Sequence, residues 1–213
     1  MTDRTTVHLL RHGEVYNPAK VLYGRLPDFH LSDLGRQMAV LAADALADRD
    51  VVEVRSSPLE RAQETAAPIV ARFGLAPLID DRVIEADNVF EGQRVSVGDG
   101  VLRQPRAWRY LWNPARPSWG EPYVDVAARM RAAVSDVRRS ARGHEAVIVS
   151  HQLPVWISRL DAEGRRFLHD PRKRQCNLAS LTSMTFEGDR LTAIVYTEPA
   201  ASLYPQSTKG VGA

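Results

Sequence analysis

The chain has 213 residues, 44% of them hydrophobic and 25% charged, which is ordinary for a globular protein that buries a substantial core as one domain. The 28 basic and 26 acidic residues nearly balance, so bulk charge gives no reason to expect binding to nucleic acid or to a membrane surface. The single cysteine, Cys176, excludes an internal disulfide framework and a cysteine-rich metal site. No apolar signal core and no run of about 18 apolar residues occurs, so we expect a soluble cytoplasmic protein with one domain over residues 1–213.

Apolar runs alternate with amphipathic stretches in the first part of the chain. Residues 6–10 predict a first strand, and residues 51–54 predict a second. Between them, residues 32–47 predict a helix that is capped by Ser32 or Asp33. This alternation is typical of an α/β fold.

Signals for the start of a helix follow the second strand. Ser57 is a preferred N-cap residue, Pro58 suits the first helical position, and Glu60 would close a capping box. Gly74 predicts that this helix ends at about Phe73.

The next predicted elements continue the alternation. They are a third strand or strand edge within 77–84, a helix over 124–142 that stops at Gly143, a strand at 146–149 and a short helix at 154–160. The strand at 146–149 is uniformly apolar, as expected where helices cover both faces of a sheet.

The C-terminal part predicts a β-hairpin, with strands at 178–186 and 191–197 around a turn at 187–189. An edge strand of this hairpin could pair with a second copy in a homodimer, although many edge strands are shielded instead. Residues 199–213 are expected to form a frayed or disordered tail.

One segment, residues 86–122, lacks a clear helix or strand periodicity and is predicted to be an insertion. It is rich in two residue types: Trp108, Trp112, Trp119, Arg103, Arg106, Arg109 and Arg116. Long irregular insertions in compact domains are often lids or binding loops. The alternative is an extra packed helix anchored by its aromatic side chains, and nucleic-acid binding is the least expected use.

Three of the predicted strands lead into charged or catalytic residue types. The first strand ends at Arg11 and His12, and the second leads to Arg61. The apolar strand at 146–149 is followed by His151. Because ligands bind beyond the carboxyl ends of the strands in open parallel sheets, these side chains should meet at one edge and form an anion site.

Phosphoryl transfer is the chemistry that this set of residues suits. The guanidinium groups of Arg11 and Arg61 can bind the charged phosphoryl oxygens through directed hydrogen bonds. A neutral imidazole at His12 can attack phosphorus and hold the group covalently, and a protonated His151 would add a donor. A leaving alkoxide needs a proton, and Glu85, directly after the third apolar stretch, is placed to supply it.

Together these motifs resemble the histidine phosphatase superfamily, also called the phosphoglycerate mutase-like family. They span residues 7–151: Leu10-Arg11-His12-Gly13-Glu14, Leu31-Ser32-x-x-Gly35, Ser56-Ser57-Pro58-Leu59-x-Arg61-Ala62-x-x-Thr65-Ala66, Glu85 and Val149-Ser150-His151. The resemblance implies a three-layer α/β/α sandwich with a mostly parallel central sheet, no cofactor and no metal. It implies a phosphorylated nucleophile at His12 and a general acid at Glu85. The phosphoryl group would be bound by Arg11, Arg61 and His151.

Two departures from the family pattern affect the expected site. Members usually have a glycine between the acid and a following Glu-Gly pair, whereas the run from Glu85 to Gly92 lacks it and is one residue short. Glu14 and Asp87 are the weaker candidates for the acid. Many members follow the second histidine with glycine, where this chain has Gln152, whose side chain could narrow the pocket while its N–H faces phosphate.

Further residues are expected to border the substrate. Asn17 resembles a phosphate-binding asparagine of the family, at a spacing that is one residue short. Tyr23 and Gly24 lie in the loop that usually borders the substrate in this family.

The other histidines and the cysteine lack such support. His8 is expected to be structural and to face a helix layer. His30, His144 and His169 read as surface or loop residues, and their spacing does not suggest a metal site. Nothing near Cys176 in the sequence marks an activated thiol.

The predicted function is hydrolysis of a small phosphomonoester through a phosphohistidine on His12. Phosphoglycerate mutase activity, which returns the phosphoryl group to the substrate, is the enzymatic alternative. A non-catalytic phospholigand-binding protein is the alternative from another class. The acid phosphatase and phytase branch is disfavoured, because its Arg-His-Gly-x-Arg-x-Pro signature is not met after Arg11.

Overall fold

The structure is a computed structural model, and it describes residues 4–96, 99–100, 120–170 and 173–207. Eight strands lie within these ranges: β1 (Arg4–Arg11), β2 (Val51–Ser56), β3 (Leu78–Ile79), β4 (Val95–Ser96), β5 (Asp99–Gly100), β6 (Glu145–Ser150), β7 (Leu181–Glu187) and β8 (Arg190–Thr197). β4 and β5 pair only with each other, and the other six form one sheet in the order β3-β2-β6-β1-β7-β8. The first four of that order run parallel, and β7 and β8 are antiparallel.

The described ranges also contain four α-helices: α1 (Asp33–Asp44), α2 (Glu60–Phe73), α3 (Tyr123–Ser140) and α4 (Gln152–Ala162). α1 and α2 pack on one face of the sheet, against Leu10 and Val149, and α3 and α4 pack on the other face, against Leu9 and Ile148. Every residue of β6 after Glu145 is buried, as the apolar run predicts. This arrangement confirms the predicted three-layer sandwich. No helix in the described ranges is apolar and long enough to span a membrane.

The start of α1 packs tightly against the loop that follows β1. The Ser32 hydroxyl caps the helix by accepting the Gly35 N–H at 3.0 Å, and it donates to the Glu14 carboxylate at 2.6 Å. A Cβ at Gly35 would lie 2.0 Å from the Glu14 carbonyl oxygen, and a Cβ at Gly13 would lie 2.5 Å from that of Gly35. Only glycines allow this contact, which holds the backbone directly after His12.

The predicted start of α2 is wrong by two residues. The helix begins at Glu60, and Leu59 rather than Ser57 occupies the N-cap position. The reason is that the Ser57 N–H donates to the Val149 carbonyl at 2.9 Å, which keeps this residue aligned with the sheet. Its hydroxyl is therefore turned towards His151 instead of capping the helix. The end of α2 is as predicted, with Gly74 in the left-handed region at a φ of 65°.

The predicted third strand is shorter than expected. β3 contains only two residues, and the chain then turns into a 3₁₀ helix over Asp81–Val83. The Asp80 carboxylate caps this turn by accepting the Arg82 N–H at 3.0 Å, which ends the extended conformation.

The expected disorder after Pro199 is wrong for the described part of the tail. Ala201–Gln206 forms a 3₁₀ helix that packs beside α1. Ala200 is fully buried, and the Tyr204 hydroxyl donates to the Leu178 carbonyl at 2.9 Å. These contacts supply the free energy that orders the segment, while residues 208–213 lie outside the described residues.

Only the ends of the predicted insertion are described. Asn88 forms an isolated bridge with Gly120, and β4 and β5 form a two-stranded ladder. The tryptophan- and arginine-rich part lies outside the described residues: Trp108, Trp112, Trp119, Arg103, Arg106, Arg109 and Arg116. The predicted hairpin is confirmed as β7 and β8, with β8 at the sheet edge, and the homodimer stays a prediction.

The contact at the start of α1 yields a prediction about stability. Alanine normally stabilises a helix interior relative to glycine by about 0.5–1 kcal/mol. We expect Gly35→Ala to lower the free energy of unfolding by about 1–3 kcal/mol instead, because the new methyl group would overlap the Glu14 carbonyl. Urea unfolding measures the change, and Gln37→Ala on the exposed face of the same helix is the control. An unchanged or higher free energy for Gly35→Ala would contradict the packing argument.

Candidate active site

The carboxyl ends of β1, β2 and β6 bring the predicted side chains together. The His12 N–H donates to the Ser150 carbonyl at 3.1 Å, which extends the pairing of β1 and β6 by one residue. The two histidine rings, His12 and His151, therefore lie with their centroids 5.2 Å apart. Arg61 enters the same site from the first turn of α2.

His12 is fully buried, and its hydrogen bond fixes its tautomer. Nδ1 lies 2.7 Å from the Gly13 carbonyl oxygen, and because a carbonyl only accepts, Nδ1 carries the hydrogen. Nε2 therefore holds a lone pair, and among the described residues it has no hydrogen-bond partner. Burial and the nearby guanidinium groups of Arg61 and Arg11 hold the pKa of His12 well below its usual range. The imidazole is consequently neutral and has the form of a nucleophile.

Arg61 is a fully buried cation with incomplete hydrogen bonding. Its Nη2 donates to the Gly24 carbonyl, and its guanidinium lies 4.7 Å from the centre of the Tyr23 ring. Tyr23 is held in turn by a stacked contact with Phe29. Within the described residues, Nε and Nη1 of Arg61 have no acceptor. Burial lowers the pKa of Arg61, so this side chain is a desolvated charge with free donors.

Arg11 adds a second guanidinium to the site. Its Nη1 donates to the Cys176 carbonyl at 2.7 Å, while its buried Nε has no acceptor in the described part of the chain. Arg11 and Arg61 both act electrostatically on His12 and on His151. The two arginines therefore create a strongly positive environment with unfilled donor positions.

His151 is also buried and neutral. Its Nε2 lies 2.7 Å from the Ser57 hydroxyl, and its Nδ1 has no partner among the described residues. Burial, followed by Arg61 and His12, holds the pKa of His151 well below its usual range. The role of Ser57 was not predicted, because the sequence pattern marks it as a helix cap.

Glu85 is the buried carboxyl group of the site. Oε1 accepts the Ala86 N–H at 2.8 Å, and Oε2 has no partner in the described chain. Burial raises the pKa of Glu85, although the Ala86 hydrogen bond and the charges of Arg61 and Arg11 oppose this effect. A carboxyl group with a raised pKa can be protonated and can donate a proton.

A network of ion pairs holds the backbone around Glu85. Arg25 donates through Nε to the Glu85 carbonyl at 2.7 Å and through Nη2 to Glu121 at 2.9 Å. Arg129 binds the same Glu121 through two nitrogens, at 2.8 and 3.0 Å, and donates to the Ile84 carbonyl at 2.7 Å. The family glycine that is missing after the acid is thus not needed to hold this carboxyl group in the site. Sequence reasoning missed this network, because its members are far apart in the chain and share no local pattern.

The remaining predicted residues have different positions. The Asn17 side-chain amide donates to the Val21 carbonyl at 2.8 Å and accepts the Val21 N–H at 3.2 Å, so its hydrogen bonds hold the loop over residues 17–21. Gln152 begins α4, and its side-chain Oε1 accepts from Arg174 at 3.2 Å. Asp87 is exposed, whereas the Glu14 carboxylate is buried and paired with Ser32. Neither is placed like Glu85.

The other histidines and the cysteine mostly match expectation. His8 is buried between the Ser183 hydroxyl and the Glu145 carboxylate, each at 2.7 Å, on the α1 side of the sheet. His30 and His144 are exposed and contact Glu64 and Asp50. Burial raises the pKa of the Cys176 thiol to about 11, so the thiol is not activated. His169 lies in the loop between α4 and β7, which agrees with the prediction of a surface or loop residue, but its ring is half-buried and accepts a hydrogen bond from Arg174 at 2.8 Å.

The unfilled groups define what the site can do. Among the described residues, donor groups on Arg11 and Arg61, the lone pair of His12 Nε2 and one carboxyl oxygen of Glu85 have no hydrogen-bond partner. Buried polar groups without partners are costly, and an anion of tetrahedral geometry would satisfy the donors. The arrangement can therefore bind a phosphoryl group beside a nucleophile and a proton donor.

Comparison with known proteins gives two similar chains from Mycobacterium tuberculosis. Uncharacterized protein Rv0525, of strain ATCC 25618 / H37Rv, is 60% identical over 201 residues, which are 94% of this chain and 100% of that protein. Glucosyl-3-phosphoglycerate phosphatase, of strain CDC 1551 / Oshkosh, is 38% identical over 134 residues, which are 61% of this chain and 58% of that protein.

A solved structure and a family model extend the comparison. Mycobacterial glucosyl-3-phosphoglycerate phosphatase Rv2419c, in complex with VO3, superposes with a TM-score of 0.71 at 27% identity. The match covers 91% of this chain and 98% of that one. The family model of the histidine phosphatase superfamily (branch 1) matches residues 7–198. Because that match takes in the whole sheet apart from the first residues of β1, the chain belongs to the histidine phosphatase superfamily.

Proposed function

We propose that the protein hydrolyses a small phosphomonoester through a phosphohistidine intermediate on His12. The observation that carries the proposal is the lone pair of His12 Nε2, which has no partner within the described ranges and is buried in one site with unpaired donors of Arg11 and Arg61. A merely structural histidine at this depth would have both ring nitrogens paired. The partial match to glucosyl-3-phosphoglycerate phosphatase supports phosphatase activity.

In the first step, His12 Nε2 attacks phosphorus and the bond from phosphorus to the ester oxygen breaks. Arg11 and Arg61 bind the phosphoryl oxygens and stabilise their charge in the transition state. His151, whose ring centroid lies 5.2 Å from that of His12, contacts the same phosphoryl group. Glu85 gives its proton to the departing alkoxide, so an alcohol leaves and a carboxylate remains.

In the second step, water attacks the phosphorus of the phosphohistidine. The Glu85 carboxylate takes a proton from this water, and the bond between phosphorus and His12 breaks. Inorganic phosphate is released, and both side chains return to their initial protonation states. A mutase would instead return the phosphoryl group to another hydroxyl of the substrate.

The proposed function predicts that the site with Arg11 and Arg61 binds a free oxyanion. Inorganic phosphate or vanadate should raise the thermal unfolding temperature, since only the folded site binds it. At a ligand concentration 100-fold above Kd, the free energy of unfolding should rise by about 2.7 kcal/mol. Arg61→Met should abolish most of this stabilisation, while Arg72→Met at the exposed end of α2 should keep it. Equal stabilisation of both variants by the anion would show that it binds outside this site.

The nucleophile is tested by turnover and by trapping. We expect His12→Ala to lower kcat for p-nitrophenyl phosphate by on the order of 10⁴-fold or more, since the covalent step is lost. Rapid quenching of the wild type with a labelled substrate should give an acid-labile, alkali-stable phosphoprotein that His12→Ala lacks. His144→Ala, at an exposed histidine paired with Asp50, is the control.

Two results would contradict or redirect the proposal. Absence of wild-type turnover across a panel of phosphomonoesters would favour a non-catalytic phospholigand-binding protein. Isomerisation of 3-phosphoglycerate, stimulated by a bisphosphorylated primer, would identify a mutase.

The general acid is tested by the pH dependence of kcat/KM. His12 must be neutral, and because its pKa lies below 6.5, its acid limb should lie below pH 6.5. Glu85 must be protonated, and because its pKa is raised from 4.5, activity should fall as pH rises through that raised value. Glu85→Gln should remove this basic limb. It should lower kcat/KM by about 10²–10⁴-fold for an alkyl phosphate.

The leaving group supplies the control for this prediction. p-Nitrophenolate leaves without a proton, so Glu85→Gln should lower kcat/KM much less for p-nitrophenyl phosphate than for glycerol 3-phosphate. Asp87→Asn, at an exposed carboxylate in the same segment, should leave both profiles unchanged. Equal losses on both substrates would show that Glu85 is not the proton donor.

A further inference from the structure

A third guanidinium, that of Arg174, lies beside the phosphate site. It belongs to the segment between α4 and β7, outside the motifs that carry the family resemblance. Its positive charge acts on both Glu85 and Arg11. Arg174 is also only two residues from Cys176, whose carbonyl binds Arg11, and two residues span at most about 7 Å. Arg174 is therefore within reach of a small substrate that occupies the site.

The partners of Arg174 are neutral. Its Nε donates to His169 Nε2 at 2.8 Å, and its Nη1 donates to Gln152 Oε1 at 3.2 Å. His169 Nδ1 lies 2.6 Å from the Phe167 carbonyl and so carries the ring hydrogen. Burial lowers the pKa of His169, so this ring is a neutral acceptor. The Tyr123 hydroxyl also interacts with the guanidinium.

Within the described residues, the side chains that accept hydrogen bonds from Arg174 therefore do not neutralise its charge. Neither His169 nor Gln152, the side chains that accept its hydrogen bonds in the described part of the chain, is a carboxylate, and burial lowers its pKa. Buried cations that serve only the fold are normally paired with an anion. Arg174 as a residue is partly exposed rather than fully buried, which leaves a path for an anionic ligand from solvent.

Gln152 connects Arg174 to the phosphate site. Its Oε1 accepts from Arg174, and its Nε2 lies 3.5 Å from the Cys176 carbonyl that also binds Arg11. Both contacts are made by the side-chain amide of Gln152, so this residue holds Arg174 next to the backbone that binds Arg11.

We propose that Arg174, held by Gln152 and His169, is a specificity residue that binds a second anionic group on the substrate. The proposal rests on the proposed function, because it takes Arg11 and Arg61 as the phosphoryl-binding arginines. Since Arg174 lies near Glu85, which faces the leaving oxygen in that mechanism, the second anion is on the alcohol part of the substrate. A carboxylate and a second phosphate have the same recognition chemistry here.

The test uses two pairs of compounds that differ by one anionic group. 3-Phosphoglycerate is compared with glycerol 3-phosphate for a carboxylate, and fructose 1,6-bisphosphate with fructose 6-phosphate for a second phosphate. Dissociation constants are measured by calorimetry with His12→Ala as the background of every protein, the one with wild-type Arg174 included, so no compound is hydrolysed during the titration and failure of catalysis and failure of this proposal are distinguishable. The protein with wild-type Arg174 should bind the more anionic member of at least one pair about 10- to 100-fold more tightly.

Variants assign this preference to Arg174. Arg174→Gln should bring the ratio of the two dissociation constants in a pair close to one, and it should leave the affinity for the less anionic compound of that pair unchanged. Arg174→Lys should restore part of the preference, and Gln152→Ala should reduce it. Arg165→Gln is the matched control, because Arg165 is exposed and paired with Glu163.

Three outcomes would overturn the proposal. The protein with wild-type Arg174 could show a ratio near one in both pairs, or it could bind none of the four compounds. Arg174→Gln could also weaken both members of a pair equally, which would make Arg174 a general support of the site. Near-UV circular dichroism of each variant checks that the fold is retained.

Discussion

The burial of the Arg61 guanidinium, for which the described part of the chain supplies no ion-paired carboxylate, is the constraint on which the rest of the site depends. The side chain has no solvent exposure, and a desolvated charge is costly unless other groups compensate it. The Gly24 carbonyl and the face of the Tyr23 ring compensate it in part. Two of its nitrogens remain without acceptors among the described residues, so the fold maintains a cation that only an anionic ligand can satisfy.

The fold maintains this site with backbone contacts on two sides. The glycine contact between the loop after β1 and the start of α1 fixes the backbone next to His12. On the other side, Arg25 and Arg129 share Glu121 and bind the carbonyl groups around Glu85. The nucleophile and the acid are therefore held by different elements, so each can be positioned without moving the other.

The sequence predicted the layers and the motif residues because those depend on local patterns. Apolar strands followed by Arg11, His12 and His151 place these residues at one sheet edge in any parallel sheet. The start of α2 could not be predicted, since it depends on a hydrogen bond from Ser57 to the neighbouring strand. Arg174 was missed for the same physical reason: its importance comes from contacts made by tertiary folding, and no periodicity marks it.

Burial sets the protonation of the nucleophile and of the acid in the same step. Removing water disfavours the charged form of every group, so it lowers the pKa of His12 and raises that of Glu85. The imidazole is then neutral and the carboxyl group tends towards its protonated form, which are the states that phosphoryl transfer needs. The arginines strengthen the first effect and weaken the second. The exclusion of water from the site, more than any single charge, therefore prepares both residues.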